Sequence, residues 1–507
     1  MSAQPIKFDS AKNEQLSYNQ TAIVSPKYKY VTVAPNTFGQ TITLTNSTQN
    51  VKFLVQAEPY NWCRSMLQGT LVIPAQGANN YGWFFADVCF GLISYIFAYT
   101  ANGQRFVDLN DAHLWLHGPA KYETSLEEFL TYDILSGQCR SESAISVQGL
   151  TGFSQYYSLP SAVNAGTNDF FNLTSMRNNM ISPLAQAEYN ASVSYTEPAY
   201  YGVGEVNAPI TIQFRYPLGR YKQTFFAIDK STYFGGALSN LECTMGPSYN
   251  LGYYSTINNS PVVNATYALG GVTGQFAVNP TVANFQLLMA QDVDPETLAS
   301  TKAEFASKKM LIPFIRCEEY PCQGQAQTVP HSYTSGDGIA LMKVYHQVYS
   351  AIRQGTTVYD CSNDDLMPSN VSATNTQAKI SSFQTQLNGL NLQDLALNCT
   401  SVNVSGNGAN LDYLHMEDKL KGSMIQSRSM YYYNWAWCDD FVGAGAMYNQ
   451  DNDNSIIGGK QLTAIPLIWS IKANMTALAG NATYSYIHVT FAILLRAMQI
   501  DNRGCTF

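Results

Sequence analysis

The sequence predicts an all-β protein made of two successive β-sandwiches of about eight strands each, with long loops. Three observations support this fold class. Short runs of alternating apolar and polar residues recur in both halves of the 507-residue chain. Helix signals are rare, and a well-capped helix near the middle lies between two apolar strands. Charged residues make up only 13% of the chain against 46% hydrophobic residues, a composition that argues against disorder.

The central helix begins with Asp294 as N-cap and Pro295 at the first helical position, where a missing N–H has no cost. We predict that Leu298 and Phe305 lie on its apolar side. Lys308 and Lys309 are predicted at its C-terminal end, where positive charges suit the helix dipole. Strands at 285–289 and 310–315 flank it. We expect the helix to be a spacer between two sandwiches; the alternative is a surface helix within one larger domain.

This division predicts four segments of the chain: an N-terminal arm (1–26), a first sandwich with long surface loops (27–293), a connecting helix (294–309) and a second sandwich (310–507). The arm is polar and unpatterned, so we expect it to become ordered only against a neighbouring molecule. It has no apolar core of a secretory signal. The apolar stretch 83–99 is short and contains Asp87, which favours buried β structure in a soluble protein over a membrane span.

In the first sandwich, alternation predicts strands at 28–30, 42–44, 51–55, 70–73, 93–99, 106–109, 210–214 and 238–243. Asn102-Gly103 predicts a type I′ hairpin turn. A capping box at Ser125 and Glu128 predicts a second helix over 125–135, ending at Gly137.

In the second sandwich, strands are predicted at 311–316, 339–349, 431–437, 462–471 and 485–497. The last of these places four residues on one face: Ile487, Val489, Phe491 and Ile493. Three polar stretches with weak periodicity are predicted as long segments between strands: 139–208, 246–283 and 360–410. The first is either an elaborated surface loop or contains strands that its pattern does not show. No internal sequence repeat accompanies the two halves.

The ten cysteines are spread along the chain without a C-x-x-C pair, so we expect most of them to be small buried side chains. The two that are close enough in a predicted turn to meet are Cys317 and Cys322. N-x-[ST] triplets occur eleven times, which the Asn, Ser and Thr content of the chain accounts for.

Motifs of catalysis and of metal or cofactor binding are weak, so we expect no enzyme, no cofactor and no metal site. His113 and His117 have helical spacing but lack the H-E-x-x-H glutamate, and we interpret them as loop or strand residues. The acidic run 451–454 lacks the glycine and glutamate of a calcium loop, and 458–460 lacks the spacing of a phosphate loop. Adjacent carboxylates on a strand point to opposite faces and do not form a catalytic pair: Glu127/Glu128, Glu318/Glu319, Asp364/Asp365 and Asp439/Asp440.

The aromatic run Tyr431, Tyr432, Tyr433, Trp435 and Trp437 supports an alternative function. Such a run can stack on sugars, as in a multi-domain β-sandwich carbohydrate-binding or carbohydrate-active protein. Core and interface packing explains it as well, since protein interfaces are depleted in charge and enriched in Tyr and Trp. The net charge of −8 gives no overall basic surface for nucleic acid.

Several segments resemble the double jelly-roll major capsid proteins of eukaryotic DNA viruses, most closely those of polinton-like viruses and virophages. They are the hairpin and predicted helix (94–130, with TANGQRFVDL at 100–109 and SLEEFL at 125–130), the segments 216–219, 228–230 and 233–236, the central helix, and YNWAWCDDF at 433–441. Each segment is short, and the resemblance rests on their order and on chain length.

The resemblance implies two consecutive eight-stranded jelly rolls standing side by side, and a homotrimer that forms a pseudo-hexagonal capsomer of an icosahedral shell. The three polar stretches would form outward towers and contacts between chains. It implies a virion protein made in the host cytoplasm or nucleus, with neighbouring capsomers, penton and minor or cement proteins as partners. The arm would lie on the inner side, toward genome or membrane, without sequence-specific nucleic-acid binding. A fibre or minor coat protein of the same particle is a third interpretation.

Overall fold

The computed structural model describes residues 27–37, 39, 41–45, 47–74, 81–84, 92–117, 119–120, 201–205, 210–246, 254–255, 278–322, 326–350, 379–398, 436–442, 459–476, 486–501 and 503–507. In these ranges the chain is mostly antiparallel β structure with two short α-helices, α1 (Ala112–His117) and α2 (Pro295–Glu304). Within the described ranges no helix is long and apolar enough to cross a membrane.

The strands before α2 form three sheets. The first has the order β1-β13-β4-β10, with β2 also paired to β13 and β9 to β4; the second has the order β3-β11-β6-β7; the small third sheet has the order β12-β5-β8. The bounds are β1 (Tyr28–Val33), β2 (Thr41–Thr43), β3 (Gln49–Val55), β4 (Tyr60–Ile73), β5 (Tyr81–Phe84), β6 (Ile93–Thr100), β7 (Arg105–Leu109), β8 (Tyr201–Glu205), β9 (Ile210–Pro217), β10 (Ser231–Thr232), β11 (Ser239–Met245), β12 (Tyr254–Ser255) and β13 (Thr281–Asp292).

The strands after α2 form two further sheets. One has the order β14-β23-β16-β20, with β21 paired to β16 and β24 to β23; the other has the order β15-β22-β17-β18, with β19 paired to β17. The bounds are β14 (Lys308–Cys322), β15 (Ala326–Tyr333), β16 (Ala340–Ser350), β17 (Lys379–Leu387), β18 (Leu390–Asn391), β19 (Leu397–Asn398), β20 (Ala436–Asp440), β21 (Lys460–Gln461), β22 (Leu467–Thr476), β23 (Tyr486–Asp501) and β24 (Gly504–Thr506).

Both halves have the same strand order. In the first half, the main strands in chain order are β1, β3, β4, β6, β7, β10, β11 and β13; in the second they are β14, β15, β16, β17, β18, β20, β22 and β23. If each set is ranked from one to eight, each half contains one sheet with the order 1-8-3-6 and one with the order 2-7-4-5. This is the strand order of a jelly roll, so the predicted pair of eight-stranded sandwiches is confirmed as a double jelly roll.

An aromatic cluster fills the first jelly roll. Trp62 stacks on Phe226 with ring centroids 5.7 Å apart and meets Phe106 edge-on at 5.3 Å. Phe226 lies in a short 3-10 turn (Phe225–Ala227) that is wholly buried. Nearby, a Cβ on Gly219 would lie 2.7 Å from the backbone oxygen of Cys63, so only glycine allows this close approach.

Two local predictions are wrong in detail. In the hairpin between β6 and β7, Gly103 has a positive φ of 81° and Asn102 does not, so the turn is not type I′. The side chain of Asn102 instead contacts the C-terminal strand. Helix α2 has its predicted N-cap, with the Thr297 N–H donating to Asp294 at 2.9 Å, but it ends at Glu304. A 3-10 turn (Phe305–Ser307) follows α2, and Lys308 already belongs to β14, where its backbone is extended.

Strands occur within all three of the polar stretches. The prediction for 360–410 is wrong, because β17 lies inside it and is a central strand of its sheet, with Phe383 and Thr385 buried. β8 and β12 lie within 139–208 and 246–283, and β13 begins inside the latter. The arm at 1–26, the predicted helix at 125–135 and most of 139–208 lie outside the described residues.

The cysteine prediction is partly wrong. Cys243, Cys438 and Cys505 are buried free thiols, as expected of small apolar side chains. Cys317 is also a free thiol, and it shares the extended strand β14 with Cys322. Five residues of strand span about 16 Å, which is too far for a disulfide.

Candidate functional site

The two jelly rolls contact each other directly through helix α1. Four of its side chains, Ala112, Leu114, Trp115 and Leu116, are almost completely buried, which is typical of a helix enclosed on all sides. The ring of Trp115 meets Phe491 of β23 edge-on at 5.3 Å and Tyr345 of β16 at 6.0 Å. Trp115 therefore anchors the first jelly roll on a sheet of the second, and α2 connects two touching bodies instead of holding them apart.

Strand β23 is buried on both faces. Val489, Phe491 and Ile493 lie on the face predicted from the sequence, and they join the apolar cluster of the first jelly roll. That face therefore forms the contact between the jelly rolls. The alternate residues His488, Thr490, Ala492 and Leu494 are also fully buried and lie on the opposite face, toward the second sheet of their own sandwich.

A polar contact ties the end of the chain to the first jelly roll. The side-chain amide of Asn102 donates to the backbone oxygen of Cys505 at 2.7 Å. Its oxygen accepts from the hydroxyl of Thr100, whose Oγ1 is 3.7 Å from the Cys505 Sγ. The tip of the β6–β7 hairpin therefore holds β24.

Helix α2 is held on the first jelly roll by ion pairs. Lys230 contacts Glu304 at 2.7 Å and Lys302 contacts Glu58 at 2.8 Å. Lys308 adds a second ammonium group to Glu304. The side chains of the first two pairs are exposed, so each of these pairs contributes little to stability, whereas the Lys308 side chain is nearly buried. The buried ring of Phe305, with the Lys308 Nζ 4.8 Å from its centroid, is the stronger link.

We expect replacement of Phe305 by alanine to lower the free energy of unfolding by about 3 kcal/mol, because it empties a buried aromatic site. Leu298 is only half-buried, so Leu298→Ala should cost less than about 1 kcal/mol. Denaturant titration of both variants measures the difference. Equal losses would contradict the assignment of Phe305 as the link between α2 and the jelly rolls.

A chain of three histidines crosses the interior of the second jelly roll. His331 Nδ1 contacts Glu318, and its Nε2 is 2.8 Å from the Thr490 hydroxyl. His346 Nδ1 is 3.4 Å from the same hydroxyl, and its Nε2 is 2.8 Å from His488 Nδ1. These residues come from β14, β15, β16 and β23, so both sheets of the sandwich contribute to the chain.

Trp469 flanks this histidine chain. Its ring lies 6.0 Å from the rings of both His331 and His346, and its indole N–H donates to buried Asp439 at 2.7 Å. Arg316 pairs with Glu318 and, at 2.8 Å, with Asp337. The interior is thus apolar in part and crossed by one connected polar network.

Burial keeps the central histidines neutral. It lowers the pKa of His346 well below its ordinary value, with further lowering from His488 and His331. Burial, followed by the charge of His331, lowers the pKa of His488 to about 3. Burial alone would raise the pKa of Glu318, but the hydrogen bond from His331 and the nearby Arg316 hold it below its usual value.

The weak sequence motifs do not form a site in the described residues. His113 and His117 lie in α1, so the interpretation as loop or strand was wrong. The side chain of His113 is buried, and burial lowers its pKa to about 4. Within the described ranges, no group of three His, Cys, Asp or Glu side chains could hold a metal ion. The acidic run 451–454 and the aromatic residues 431–435 lie outside those ranges.

The prediction for adjacent carboxylates is confirmed at two sites. Glu318 contacts His331 inside the second jelly roll, whereas Glu319 is turned toward Asp111 of the first. Asp439 bonds the buried Trp469, whereas Asp440 is exposed and accepts from the Val442 N–H at 2.9 Å. The pairs at 127/128 and 364/365 lie outside the described residues.

Sequence reasoning missed α1 and the histidine chain. The run Ala112-His-Leu-Trp-Leu-His117 is too short and too uniformly apolar for a helical period, although an uninterrupted apolar run is itself a sign of complete burial. His346 and His488 each lie among apolar residues of a predicted strand. That placement was the available sign of buried histidines.

No family model matches the chain, and no curated protein matches it. Solved structures do match. The quasi-atomic model of the PBCV-1 virus capsid has a TM-score of 0.50 and 8% sequence identity, and the match covers 96% of this chain and 98% of that chain. The 3.5 Å cryo-EM structure of the Sputnik virophage has a TM-score of 0.50 and 10% identity, covering 100% and 94%.

The crystal structure of the mavirus major capsid protein has a TM-score of 0.49 and 11% identity, with 99% of this chain and 96% of that chain covered. At identities this low, likeness concerns the fold. The strand order of both halves, together with the PBCV-1 and Sputnik matches, establishes that this chain has the double jelly-roll fold.

Proposed function

We propose that the chain is a major capsid protein, a structural subunit that forms homotrimers, and that these trimers tile an icosahedral virus shell as pseudo-hexagonal capsomers. The observation that carries the proposal is the repeated jelly-roll order in two sandwiches, matched over nearly the whole length of a PBCV-1 capsid chain. Two jelly rolls per chain suit a trimer with six similar lobes, and closed three-fold symmetry limits the assembly to a defined unit.

The contact between the jelly rolls supports this role. A capsomer must keep its lobes in fixed orientation, and the apolar cluster around Trp115 and Phe491 joins them without a flexible gap. In the proposed division of the chain, residues 27–293 and 310–507 are the two lobes, 294–309 connect them, and the arm at 1–26 faces genome or membrane. Penton and minor or cement proteins are the further partners in this proposal, and the virion is its location.

An exposed apolar surface supports contacts between copies of the chain. Leu390, Leu395 and Ile465 are 74%, 80% and 78% exposed. The side-chain oxygen of Asn388 accepts from the Ile468 N–H at 2.9 Å, so the segments that lead into the two loops carrying these residues are neighbours. Large exposed aliphatic side chains on neighbouring loops are consistent with a protein interface.

Light scattering of the purified chain, followed by negative-stain imaging of the same fraction, tests the proposal. We expect a stable species near three times 56.0 kDa with a hexagonal outline. An elongated monomer would contradict the proposal and favour the carbohydrate-binding alternative, which predicts measurable glycan affinity. Trimers that never form a lattice would favour a fibre or minor coat protein.

The triple variant Leu390→Ser, Leu395→Ser and Ile465→Ser tests the exposed surface. Because these side chains are in solvent, we expect unchanged folding and weaker association. Asp394→Ser, an exposed change in the same loop, is the matched control and should associate like the natural chain. If the triple variant associates as strongly as the natural chain, this surface takes no part in assembly. The trimer proposal itself would then still be tested by the mass measurement.

A further inference from the structure

Two carboxyl groups meet across the contact between the jelly rolls. Asp111 precedes α1 in the first jelly roll and has a positive φ of 52°, and its backbone oxygen accepts from the Trp115 N–H at 3.0 Å. Glu319 lies on β14 of the second jelly roll, on the same face as Cys317. The Cys317 Sγ is 3.8 Å from Asp111 Oδ2, and the Asp111 and Glu319 side chains are hydrogen-bonded to each other.

Among the described residues, apolar and acidic side chains lie around Asp111. Glu319 is opposite Val489 and Cys317 is opposite Phe491 in the pairing of β14 with β23, and Trp115 covers Phe491. The titratable groups that accompany the pair are the thiol of Cys317, the phenol of Tyr95 on β6 and, on the opposite face of β14, Glu318. In the described part of the chain, no cation is among the groups that shift Asp111.

A hydrogen bond between two carboxyl groups needs a proton, because two carboxylates have only acceptors and repel each other. We propose that Asp111 and Glu319 share one proton across the contact between the jelly rolls, and that release of this proton loosens the contact. The pair is thus a pH-sensitive latch, separate from the assembly role proposed above.

Protonation explains the direction of the expected pH dependence. Burial, and then the charge and hydrogen bond of Glu319, raise the pKa of Asp111 from its usual 3.8 to about 7. An acid whose pKa is raised in the folded state stabilises fully below its unfolded value and loses that contribution as pH rises through the folded value. The contact should therefore be strongest below about pH 4 and weaken up to about pH 7.

The isosteric variant Asp111→Asn tests the latch in the full chain. We compare the unfolding equilibrium constant of the natural chain with that of the variant at pH 5 and pH 8. The ratio of the two constants should change by about 10- to 100-fold, with the natural chain becoming relatively less stable at high pH. Because the histidines titrate in both proteins, comparing the two proteins at the same pH cancels the contribution of the histidines to the pH dependence of stability.

Infrared difference spectra provide an independent measurement of the shared proton. The natural chain should show a protonated carboxyl band at pH 6 that is lost in Asp111→Asn. Glu319→Gln should reduce the pH dependence, and it carries the test if the first variant does not fold. Asp394→Asn, an exposed carboxyl, is the control and should change neither measurement.

Two results would overturn the proposal. One is a pH dependence and infrared band that persist in Asp111→Asn. The other is an Asp111 effect that Glu319→Gln leaves unchanged, which would mean that Asp111 is protonated by burial alone and shares nothing across the contact. A trimer would neither support nor contradict the latch, because it concerns contacts within one chain.

Discussion

Replacing Trp115 by alanine is expected to lower the free energy of unfolding by about 4 to 5 kcal/mol. The indole is completely buried and forms ring contacts with Phe491 and Tyr345 on the other jelly roll. Truncation leaves a cavity between two sheets that are each fixed by their own hydrogen bonds, so the site cannot collapse easily. Chemical denaturation followed by near-ultraviolet circular dichroism measures the loss.

Tyr30→Ala is the matched control for Trp115→Ala. Tyr30 is an aromatic residue that is 47% exposed on β1, so its truncation should cost less than about 1 kcal/mol. We also expect Trp115→Ala to separate the unfolding of the two jelly rolls into two transitions, since it weakens their shared contact. A single transition with a loss as small as that of Tyr30→Ala would show that α1 does not join the jelly rolls.

Lowering the pH from 7 to 5 is expected to destabilise the fold by about 2 kcal/mol for each of His346 and His488. Both histidines have a folded pKa below the usual 6.5, and that of His488 is about 3. As pH falls through 6.5 the unfolded chain therefore takes up protons that the folded chain does not, and stability is lost progressively toward pH 3. The free energy of unfolding measured at several pH values gives this slope.

His488→Gln should reduce that slope by about one proton, because it removes one titrating imidazole. Thr490→Val is the control: it removes the hydroxyl between His331 and His346 but leaves every imidazole in place. It should lower stability at all pH values and keep the slope. If His488→Gln keeps the natural slope, the histidine chain is not the source of acid sensitivity. The histidines make the fold less stable at low pH, whereas Asp111 makes it more stable there, so separate variants are needed to measure each contribution.

The sequence by itself determined the β class, the central helix and the faces of individual strands. Asp294 caps α2 as predicted, since a capping bond joins groups three residues apart. Glu318 and Glu319 diverge as predicted, since successive side chains of any strand alternate between faces. These features depend on neighbours in sequence, so local chemistry is sufficient to predict them.

Only the tertiary structure decided which surfaces meet. The alternation of apolar residues shows that Phe491 is buried but not that its partner is Trp115. Strand β23 is buried on both faces because it lies between the interior of the second jelly roll and the surface of the first. Asn102 leaves its expected turn conformation, and its side chain binds the backbone of Cys505. Asp111 and Cys317 are 206 residues apart and still touch. Such contacts are selected by the packing of the whole chain, since a two-residue period records burial and carries no information about the partner.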